Sequence, residues 1–269
     1  MNPQTAFVDS HIHLDRLYEK APASIPAMRH MGCLPVSWAF GQGIESIEEL
    51  EHYLAHQART IEEINRKCLP CFFLTGVHPR NIPSDLRPGD VPRLLFPHLD
   101  HPLCLGMGEI GLEKGGSQER EILLAHLEMA PEVMNRGQVF GVHTPRADKL
   151  PITGLILDIL KDFSSFKDRI LVDHCTPETI DPVLRSGFWA GITLSPVKSS
   201  VCDLQTIAAR HPQYLDRMVL NTDSGDALYH DLSDLVRADQ PLNREKRAKL
   251  TAINACRFYG IWCPHLQNG

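Results

Sequence analysis

The chain has 269 residues, 43% of them hydrophobic, with a formal net charge of −6 and a pI near 6.1. A chain of this length can bury a large core without disulfides, and we expect one domain over residues 1–269. The acidic balance disfavours polyanion binding except at a local patch. The N-terminus lacks a signal-peptide pattern and no apolar run approaches ~18 residues, which predicts a cytoplasmic protein outside the membrane.

Eight short apolar runs recur along the chain, and their near-continuous hydrophobicity is typical of parallel strands covered on both faces. They lie at 6–9, 33–40, 71–77, 102–109, 138–143, 169–174, 188–195 and 217–223. Helical patterns separate most of them, at 45–66, 117–136, 147–163, 177–186, 199–210 and 244–258. Because no linker or composition break divides this alternation, the sequence predicts an α/β fold of the closed (β/α)8 TIM-barrel type.

Three local features refine this prediction. Ser117 is a candidate N-terminal cap of the helix over 117–136, and Pro131 within it predicts a kink or two shorter helices. The proline-rich stretch 81–101 is expected to form an irregular loop with only a short helix.

The chain has eight cysteines, and without an export signal we expect them to be reduced. Cys68 and Cys71 have the spacing of a redox or zinc pair. They lie between a predicted helix and a predicted strand, and no second Cys or His pair is near. We therefore interpret them as small buried hydrophobic residues at a helix-to-strand turn.

Ionisable residues collect at the carboxyl ends of the predicted strands, where enzymes with this fold carry their reactive groups. These residues are His11, His13, His78, Glu109, His143, His174 and Asp223. Imidazoles and carboxylates that converge on one mouth can hold one or two divalent cations.

The first strand carries two of these histidines. Residues two apart in a strand point the same way, so His11 and His13 can reach one metal ion while Ile12 packs outward. Asp9 is in phase with them and could orient a ligand or coordinate weakly. A single histidine is more often structural, but four histidines and an acid at successive strand ends favour a metal site.

Six motifs carry a family resemblance: FVDSHIHLD, GVHP, GMGEIGLE, GVHTPR, VDHC and LNTD. In this order they resemble the motifs of the TatD-related metal-dependent hydrolases, within the amidohydrolase-like group of metal-binding barrels. The resemblance spans residues 7 to about 260 and is specific for the family, but much less so for the substrate.

The resemblance implies a binuclear centre, in which one metal ion is held by His11, His13, Glu109 and Asp223 and the other by Glu109, His143 and His174. Glu109 would bridge the two ions, and Asp223 would also accept the proton of a metal-activated water. By ligand softness the histidines favour two Zn or Mn ions, while Mg stays compatible with the carboxylates.

Some motifs depart from those of the better-known DNases of the family. Glu113 in GEIGLE replaces an aspartate, Asn221 in LNTD replaces a glutamate, and HCTPET stands where HCFTG is common. GVHPRNIP and HTPRADK are closer to an uncharacterised prokaryotic branch. These changes leave the ligand positions intact, so metal binding is still expected. They concern the surroundings of the ligands and the substrate, and DNase activity is therefore not carried over.

Several residues are expected to bind the substrate. His78, in the GVHP motif, would bind a phosphate or stabilise developing charge, with capping beside Pro79 as the alternative. Arg80, Lys114, Arg146 and Lys198 follow predicted strands and should rim the mouth, where they favour an anionic ligand unless acids such as Glu113 or Asp148 neutralise them.

Aromatic residues near the rim form no ladder for stacking bases. Trp38, Phe40 and Tyr229 could line a pocket, and core packing is the favoured interpretation for Trp38.

Three functions remain open at this stage. The leading one is a metal-dependent hydrolase of a phosphoester, either a phosphodiester or a small phosphorylated metabolite, that uses metal-activated water. The second is an amidohydrolase or lactonase acting on a C–N or C–O bond of a small anionic metabolite. The third is not an enzyme but a barrel that keeps its metals for stability or binds an anionic metabolite for a pathway partner, and it fits poorly with a candidate base at Asp223. Nucleic acid is an unestablished substrate, and we expect a monomer or a weak homo-oligomer.

Overall fold

The computed structural model describes residues 6–67, 69–238 and 242–262. Its eight strands are Phe7–Ile12 (β1), Cys33–Trp38 (β2), Phe72–Thr75 (β3), Cys104–Gly111 (β4), Val139–His143 (β5), Ile170–Val172 (β6), Trp189–Thr193 (β7) and Met218–Asn221 (β8). They form one parallel sheet in the order β1 to β8. The N–H of Asp223 donates to the carbonyl oxygen of His11 at 3.0 Å, and that of His13 to Ser224 at 2.8 Å. These bonds join β8 to β1, and the predicted barrel is confirmed.

Helices surround the barrel and fill the connections between strands. They are Leu14–Lys20 (α1), Ser24–Met31 (α2), Ile47–Lys67 (α3), Asp90–Leu99 (α4), Ser117–Glu128 (α5), Ala130–Asn135 (α6), Lys149–Leu160 (α7), Ile180–Arg185 (α8), Val201–Arg210 (α9), Asp231–Arg237 (α10), Arg244–Ala248 (α11) and Asn254–Tyr259 (α12). A π-helical segment, Lys249–Ile253, joins α11 to α12. None of the helices in the described ranges is long and apolar enough to cross a membrane.

The helix expected over 117–136 is divided, as Pro131 predicted: α5 ends at Glu128 and α6 begins at Ala130. The predicted cap at Ser117 is wrong, because Ser117 is already the first helical residue and Gly116 precedes it. The stretch 81–101 contains one ten-residue helix, α4. The sequence analysis missed α1, α2 and α10, which are each only seven or eight residues long. Such short helices give little periodic signal.

Two apolar layers enclose the strands. The outer layer packs between barrel and helices and contains Ile12, the residue expected to point away from the site. The inner layer includes Trp38 and Trp189 and extends to α12, whose Phe258 ring lies 5.2 Å from that of Trp189. The side-chain amide of Asn254 donates to the carbonyl oxygen of Met218, the first residue of β8, at 2.7 Å. α12 therefore closes the amino-terminal end of the barrel.

One half of the CxxC pair can be described. Cys71 is fully buried, and its Sγ donates to the carbonyl oxygen of Ile61 at 3.5 Å. Burial raises the pKa of the Cys71 thiol to about 12, so it stays protonated and unreactive. Cys68 lies outside the described residues.

Candidate metal centre

The residues expected to hold the first metal ion come together at the carboxyl end of the barrel. His11, His13, Glu109 and Asp223 each offer one ligand atom, and these atoms lie within 4.8 Å of one another. Nε2 of His11 is 3.3 Å from Oε2 of Glu109, and Nε2 of His13 is 3.0 Å from Oδ1 of Asp223. The strand ends thus assemble this group.

The other oxygen of Glu109 faces the remaining histidines. Oε1 of Glu109 lies 2.5 Å from Nδ1 of His143, 3.2 Å from Nε2 of His174 and 3.5 Å from Nε2 of His78. One three-residue group here is His78, Glu109 and His143, while His174 groups with His11 and Asp173. Glu109 therefore lies between two sets of ligand atoms, as a bridging carboxylate must.

The donor set fits a divalent cation. Nε2 of His11 and Oε2 of Glu109 are buried, and in the described part of the chain neither has a hydrogen-bond partner. Unpaired buried polar atoms are costly, so native structures rarely retain them without an ion, water or ligand. One imidazole nitrogen and one carboxylate oxygen that face each other across 3.3 Å are suitable ligands for Zn or Mn.

The orientation of the histidines supports this fit. Nδ1 of His11 lies 2.5 Å from Oδ2 of Asp173, and Nδ1 of His13 lies 3.0 Å from the carbonyl oxygen of Trp38. Both partners can only accept, so each neutral ring carries its proton on Nδ1. The lone pair on Nε2 then points into the mouth, which is the usual arrangement for metal-binding histidines.

A buried polar network fixes His174 in the same way. The amide of Asn221 donates to Oδ1 of Asp173 at 2.8 Å, which places the Asn221 oxygen toward Thr193. The Thr193 hydroxyl donates to that oxygen at 2.8 Å, so its own oxygen accepts from Nδ1 of His174 at 2.7 Å. Nε2 of His174 is left with a lone pair toward the mouth. Asn221, one of the departures from the family motif, thus links the two sets of ligands.

His78 has the opposite orientation. Its Nδ1 accepts the backbone N–H of Arg80 at 3.0 Å, as in the capping alternative. The proton of the neutral ring is therefore on Nε2, which faces Glu109. Burial lowers the pKa of His78 to about 4, so the ring is neutral at pH 7. His78 presents a hydrogen-bond donor to the mouth, whereas His11, His13 and His174 present lone pairs.

Asp173 is the main residue that sequence reasoning missed. Alternation in a strand directs neighbours to opposite faces, so His174 at the mouth implied that Asp173 points away. His174 instead has a left-handed backbone with φ of 58°, which breaks the alternation. A Cβ on Gly191 would lie 1.9 Å from Oδ1 of Asp173, so the glycine makes room for this carboxylate. The VDHC motif contains both residues, but the sequence does not predict the left-handed backbone conformation of His174.

Asp9, the residue in phase with His11 and His13, is not in any of the ligand groups described. Asp9 is buried, and its carboxylate accepts from the N–H of Thr222 at 3.0 Å and from its hydroxyl at 2.6 Å. It fixes the segment before Asp223 and lies outside the three ligand groups. Asp173, and not Asp9, contacts the ring of His11.

The carboxylates of the centre are held in their ionised form. Burial would raise the pKa of Glu109, but the histidines around it, first His11, outweigh burial and hold its pKa well below the usual range. Burial acts in the same direction on Asp223, where the charge of Lys198 outweighs it and holds the pKa well below the usual range. Burial would lower the pKa of His11, yet Glu109 and Asp173 raise it to about 10, so a metal ion that binds at Nε2 must displace a proton from the ring. The site therefore attracts cations strongly.

A cavity of about 240 Å³ opens above the ligands. Its lining includes four of the expected substrate-binding residues, His78, Arg80, Arg146 and Lys198. Nζ of Lys198 lies 2.5 Å from Oδ2 of Asp223 and 3.0 Å from Nε2 of His174. Lys114 follows β4 as expected but does not line this cavity.

Acids neutralise part of the cationic rim. Nε of Arg80 lies 2.9 Å from Oε1 of Glu113, whose other oxygen is 2.9 Å from Nε2 of His143. Glu119, at the start of α5, fixes this loop by accepting the backbone N–H groups of Glu113 and Gly115 at 2.8 and 2.9 Å.

Aromatic and polar residues complete the walls of the cavity. Phe40 and Tyr229 line it, whereas Trp38 is buried and stacks on the His11 ring at a centroid distance of 4.0 Å. Sequence reasoning missed Arg16, Gln42 and Asp226 in the lining. Arg16 donates to both oxygens of Asp226, at 2.7 and 2.8 Å, and this rim pair carried no recognisable motif.

Barrel and ligand set together define a metal-dependent hydrolase. A family profile described as "TatD related DNase" matches residues 8–253, so the chain belongs to the TatD-related family. An uncharacterized metal-dependent hydrolase of Methanocaldococcus jannaschii is 25% identical over 94% of this chain and 100% of its own length. This likeness agrees with the expected placement near an uncharacterised branch.

Solved structures support the fold. A TatD-like protein of Archaeoglobus fulgidus aligns with a TM-score of 0.72 at 24% identity, covering 95% of this chain and 100% of that one. A beta-aspartyl dipeptidase of Fervidobacterium islandicum, solved with a beta-Asp-Leu dipeptide, aligns with a TM-score of 0.64 at 15% identity, covering 96% and 74%. A dipeptidase therefore shares this barrel with a TatD-like protein, and fold alone does not decide the bond that is cleaved.

Proposed function

We propose that this protein hydrolyses a phosphoester with water activated at a divalent-metal centre held by His11, His13, Glu109, His143, His174 and Asp223. The observation that carries the proposal is the pair of buried, unpartnered atoms, Nε2 of His11 and Oε2 of Glu109, at the base of a cavity with a cationic rim. Cations in the rim of an acidic protein favour an anionic substrate.

The two oxygens of Glu109 face different histidines, so one carboxylate can serve two ions. Divalent ions held there would lower the pKa of a water molecule and polarise the phosphoryl oxygen under attack. The number of histidines favours Zn or Mn over Mg.

Asp223 is the proposed general base. Its side chain is 14% exposed, so it reaches the cavity, and its low pKa keeps it ionised at neutral pH. Oδ2 of Asp223 is held by Lys198 and Oδ1 faces His13, which fixes the carboxylate above the ligands. It can accept a proton from a water molecule located between it and the substrate.

His78 and the cations of the rim are proposed to bind the phosphoester. The Nε2–H of His78 can donate to a phosphoryl oxygen and stabilise the charge that grows on it during attack. Arg80 and Arg146 can orient the remaining oxygens, because a guanidinium offers several donors in fixed geometry.

A C–N or lactone bond is the alternative substrate. A carboxylated lysine between the two ligand groups would favour it, but Glu109 takes this place. The alternative therefore has less support and remains part of the test.

The proposal is tested with metal-stripped full-length protein resupplied with Zn, Mn or Mg. Bis-p-nitrophenyl phosphate, p-nitrophenyl phosphate and a fluorescent DNA oligonucleotide report diester, monoester and nucleic-acid cleavage. We expect metal-dependent turnover of at least one of them. If none of the three compounds is cleaved with metal bound, and a lactone or an N-acyl amino acid is cleaved, the alternative replaces the proposal.

Asp223→Asn is the diagnostic variant, because it keeps a ligand oxygen but removes the base. We expect turnover to fall by roughly 10²–10⁴-fold, the usual contribution of a general base. Asp234→Asn, in the first turn of α10, makes the same change on an exposed residue and serves as the matched control. Equal turnover in wild type and Asp223→Asn would remove Asp223 from its role.

A further inference from the structure

A second cavity, of about 160 Å³, adjoins the metal centre between the ends of β5, β6 and β7. It shares His174 with the metal centre and shares Arg146 and Lys198 with the first cavity, and Glu109 is not in its lining. Its remaining polar lining comes from Lys149 and the hydroxyls of Thr144, Thr176, Thr193 and Ser199. In the described part of the chain no carboxylate lines this cavity.

Lys149 is the distinctive residue of this second cavity. Its Nζ donates to Oγ1 of Thr144 at 2.9 Å and to the carbonyl oxygen of Pro145 at 2.8 Å, both neutral acceptors. Within the described residues, neither Lys149 nor Arg146 has a carboxylate oxygen within 4.0 Å. Burial lowers the pKa of Lys149 to about 8, although Asp173 and Glu113 attract its charge from beyond contact distance, so holding this ammonium there has a cost. An anion bound beside it would offset that cost.

We propose that this second cavity binds a second phosphate group of the substrate, separate from the phosphoester that is hydrolysed. The inference deepens the proposed phosphoesterase function and rests on it. Lys198 lies on the boundary, because it contacts Asp223 and His174 on one side and lines the second cavity on the other. The two phosphates of one small molecule would therefore lie on either side of Lys198.

The donor set suits a phosphate better than a carboxylate. A phosphate presents three or four oxygens in a tetrahedral arrangement, and this cavity offers a guanidinium, two ammonium groups and several hydroxyls around one space. A carboxylate has two oxygens and would leave several of these donors unused. Val197, 53% exposed at the edge, offers only a small apolar contact for the rest of the substrate.

Two matched substrates test the proposal on the metal-loaded, full-length protein. They are the 5′-p-nitrophenyl phosphate of thymidine and the same compound with an added 3′-phosphate. We expect the added phosphate to raise kcat/KM by roughly tenfold or more, as a charge-assisted contact would. In Lys149→Met this ratio should fall to about one, while cleavage of the compound without the 3′-phosphate stays close to wild type.

Lys161→Met is the matched control, because it removes the same charge at the other end of α7, where Lys161 is exposed and pairs with Asp158. It should keep the wild-type ratio. Lys149→Gln, which keeps a polar side chain at this half-buried position, repeats the test if Lys149→Met folds poorly. A ratio near one in wild type, or an unchanged ratio in both Lys149→Met and Lys149→Gln, would overturn the proposal.

Binding of inorganic phosphate separates failure of this proposal from failure of the proposed function. Calorimetric titration of the manganese-loaded protein should give two phosphate sites in wild type and one in Lys149→Met. If no ester is cleaved but this difference appears, the second cavity stands and the phosphoesterase does not. If esters are cleaved but wild type binds a single phosphate, the phosphoesterase stands and the second phosphate site does not. The same titration with malonate should give weaker binding, and tighter malonate binding would overturn the choice of phosphate.

Discussion

In the barrel interior below the metal centre, between the strands and α12, three polar groups satisfy one another, whereas at the carboxyl end two buried ligand atoms remain without a partner. Nε1 of Trp38 donates to the hydroxyl of Tyr259 at 3.2 Å, and that hydroxyl donates to the carbonyl oxygen of Ser10 at 2.6 Å. At the other end, Nε2 of His11 and Oε2 of Glu109 face each other unpaired. The closed end is therefore expected to contribute stability, and the open end to contribute binding and catalysis.

The open end of the barrel also differs from the closed end in its backbone conformation. His174 and Asp223, both at the open end, have left-handed φ values of 58° and 56°. Such conformations cost of order 1–3 kcal/mol each for a residue other than glycine and persist where the surroundings impose them. The N–H of Asp223 is held by His11, which ties this strain to the ligand group.

Phe258→Ala should have the largest effect on stability. Phe258 is 1% exposed and packs on Trp189 inside the closed end, so we expect a loss of about 3–5 kcal/mol in the free energy of unfolding. Urea titration measures this loss, and turnover per folded molecule should stay near wild type. A large fall in turnover without loss of stability would break the division between the two ends.

Asp173→Asn should weaken metal binding by about 10–100-fold, the usual effect of losing a carboxylate that orients a ligating histidine. The reason is that Asp173 sets the proton on Nδ1 of His11 and also anchors Asn221. Competition with a chelating dye measures the affinity.

Asp168→Asn is the matched control for Asp173→Asn. Asp168 lies before β6, is exposed and pairs with Arg217 at 2.6 Å. The change there should leave metal affinity unaltered. Equal affinities in both variants would show that Asp173 does not position His11.

Tyr259→Phe should cost about 1–2 kcal/mol of stability, because it removes the hydroxyl and leaves the Trp38 N–H and the Ser10 carbonyl oxygen without their partner. Thermal unfolding measures the change, with turnover expected within twofold of wild type. A stability equal to wild type would mean that water replaces the hydroxyl.

His126 provides the smallest and most selective test, because it is a buried histidine outside the ligand groups. Burial lowers the pKa of His126 to about 4, so below pH 6.5 the unfolded chain takes up a proton that the folded chain does not. Stability should therefore fall as the pH drops from 6.5 toward 4, by about 1 kcal/mol at pH 5.5. Urea titrations at pH 7.5 and 5.5 should show a smaller fall in His126→Gln, and identical falls would contradict the assignment.

The sequence predicted the barrel well because each buried parallel strand leaves a local signal, a short run of β-branched and aromatic residues. It also predicted the strand-end residues that meet at the mouth, since His11, Glu109 and Asp223 follow directly from position on this fold. The short helices α1 and α2 were missed because each has about two turns. Pro22 and Pro26 further interrupt their apolar pattern.

The rest of the site depended on backbone geometry and on contacts distant in sequence. The φ of His174 brings Asp173 to His11, a residue 162 positions away, and no local pattern encodes that pairing. The proton positions on His78 and His174 follow from their hydrogen bonds to Arg80 and Thr193, which only the structure shows. Lys149 appeared as one residue of a helix until the cavity beside it was visible.

The bridging role of Glu109 is tested most directly by metal stoichiometry and affinity in Glu109→Gln beside His143→Ala. Elemental analysis after dialysis against a chelating buffer gives the ions retained per chain. We predict that wild type retains two ions, that His143→Ala mainly loses one, and that Glu109→Gln weakens both together, because Glu109 contacts both groups. Retention of one tightly bound ion in Glu109→Gln would contradict the bridging carboxylate and the centre built on it.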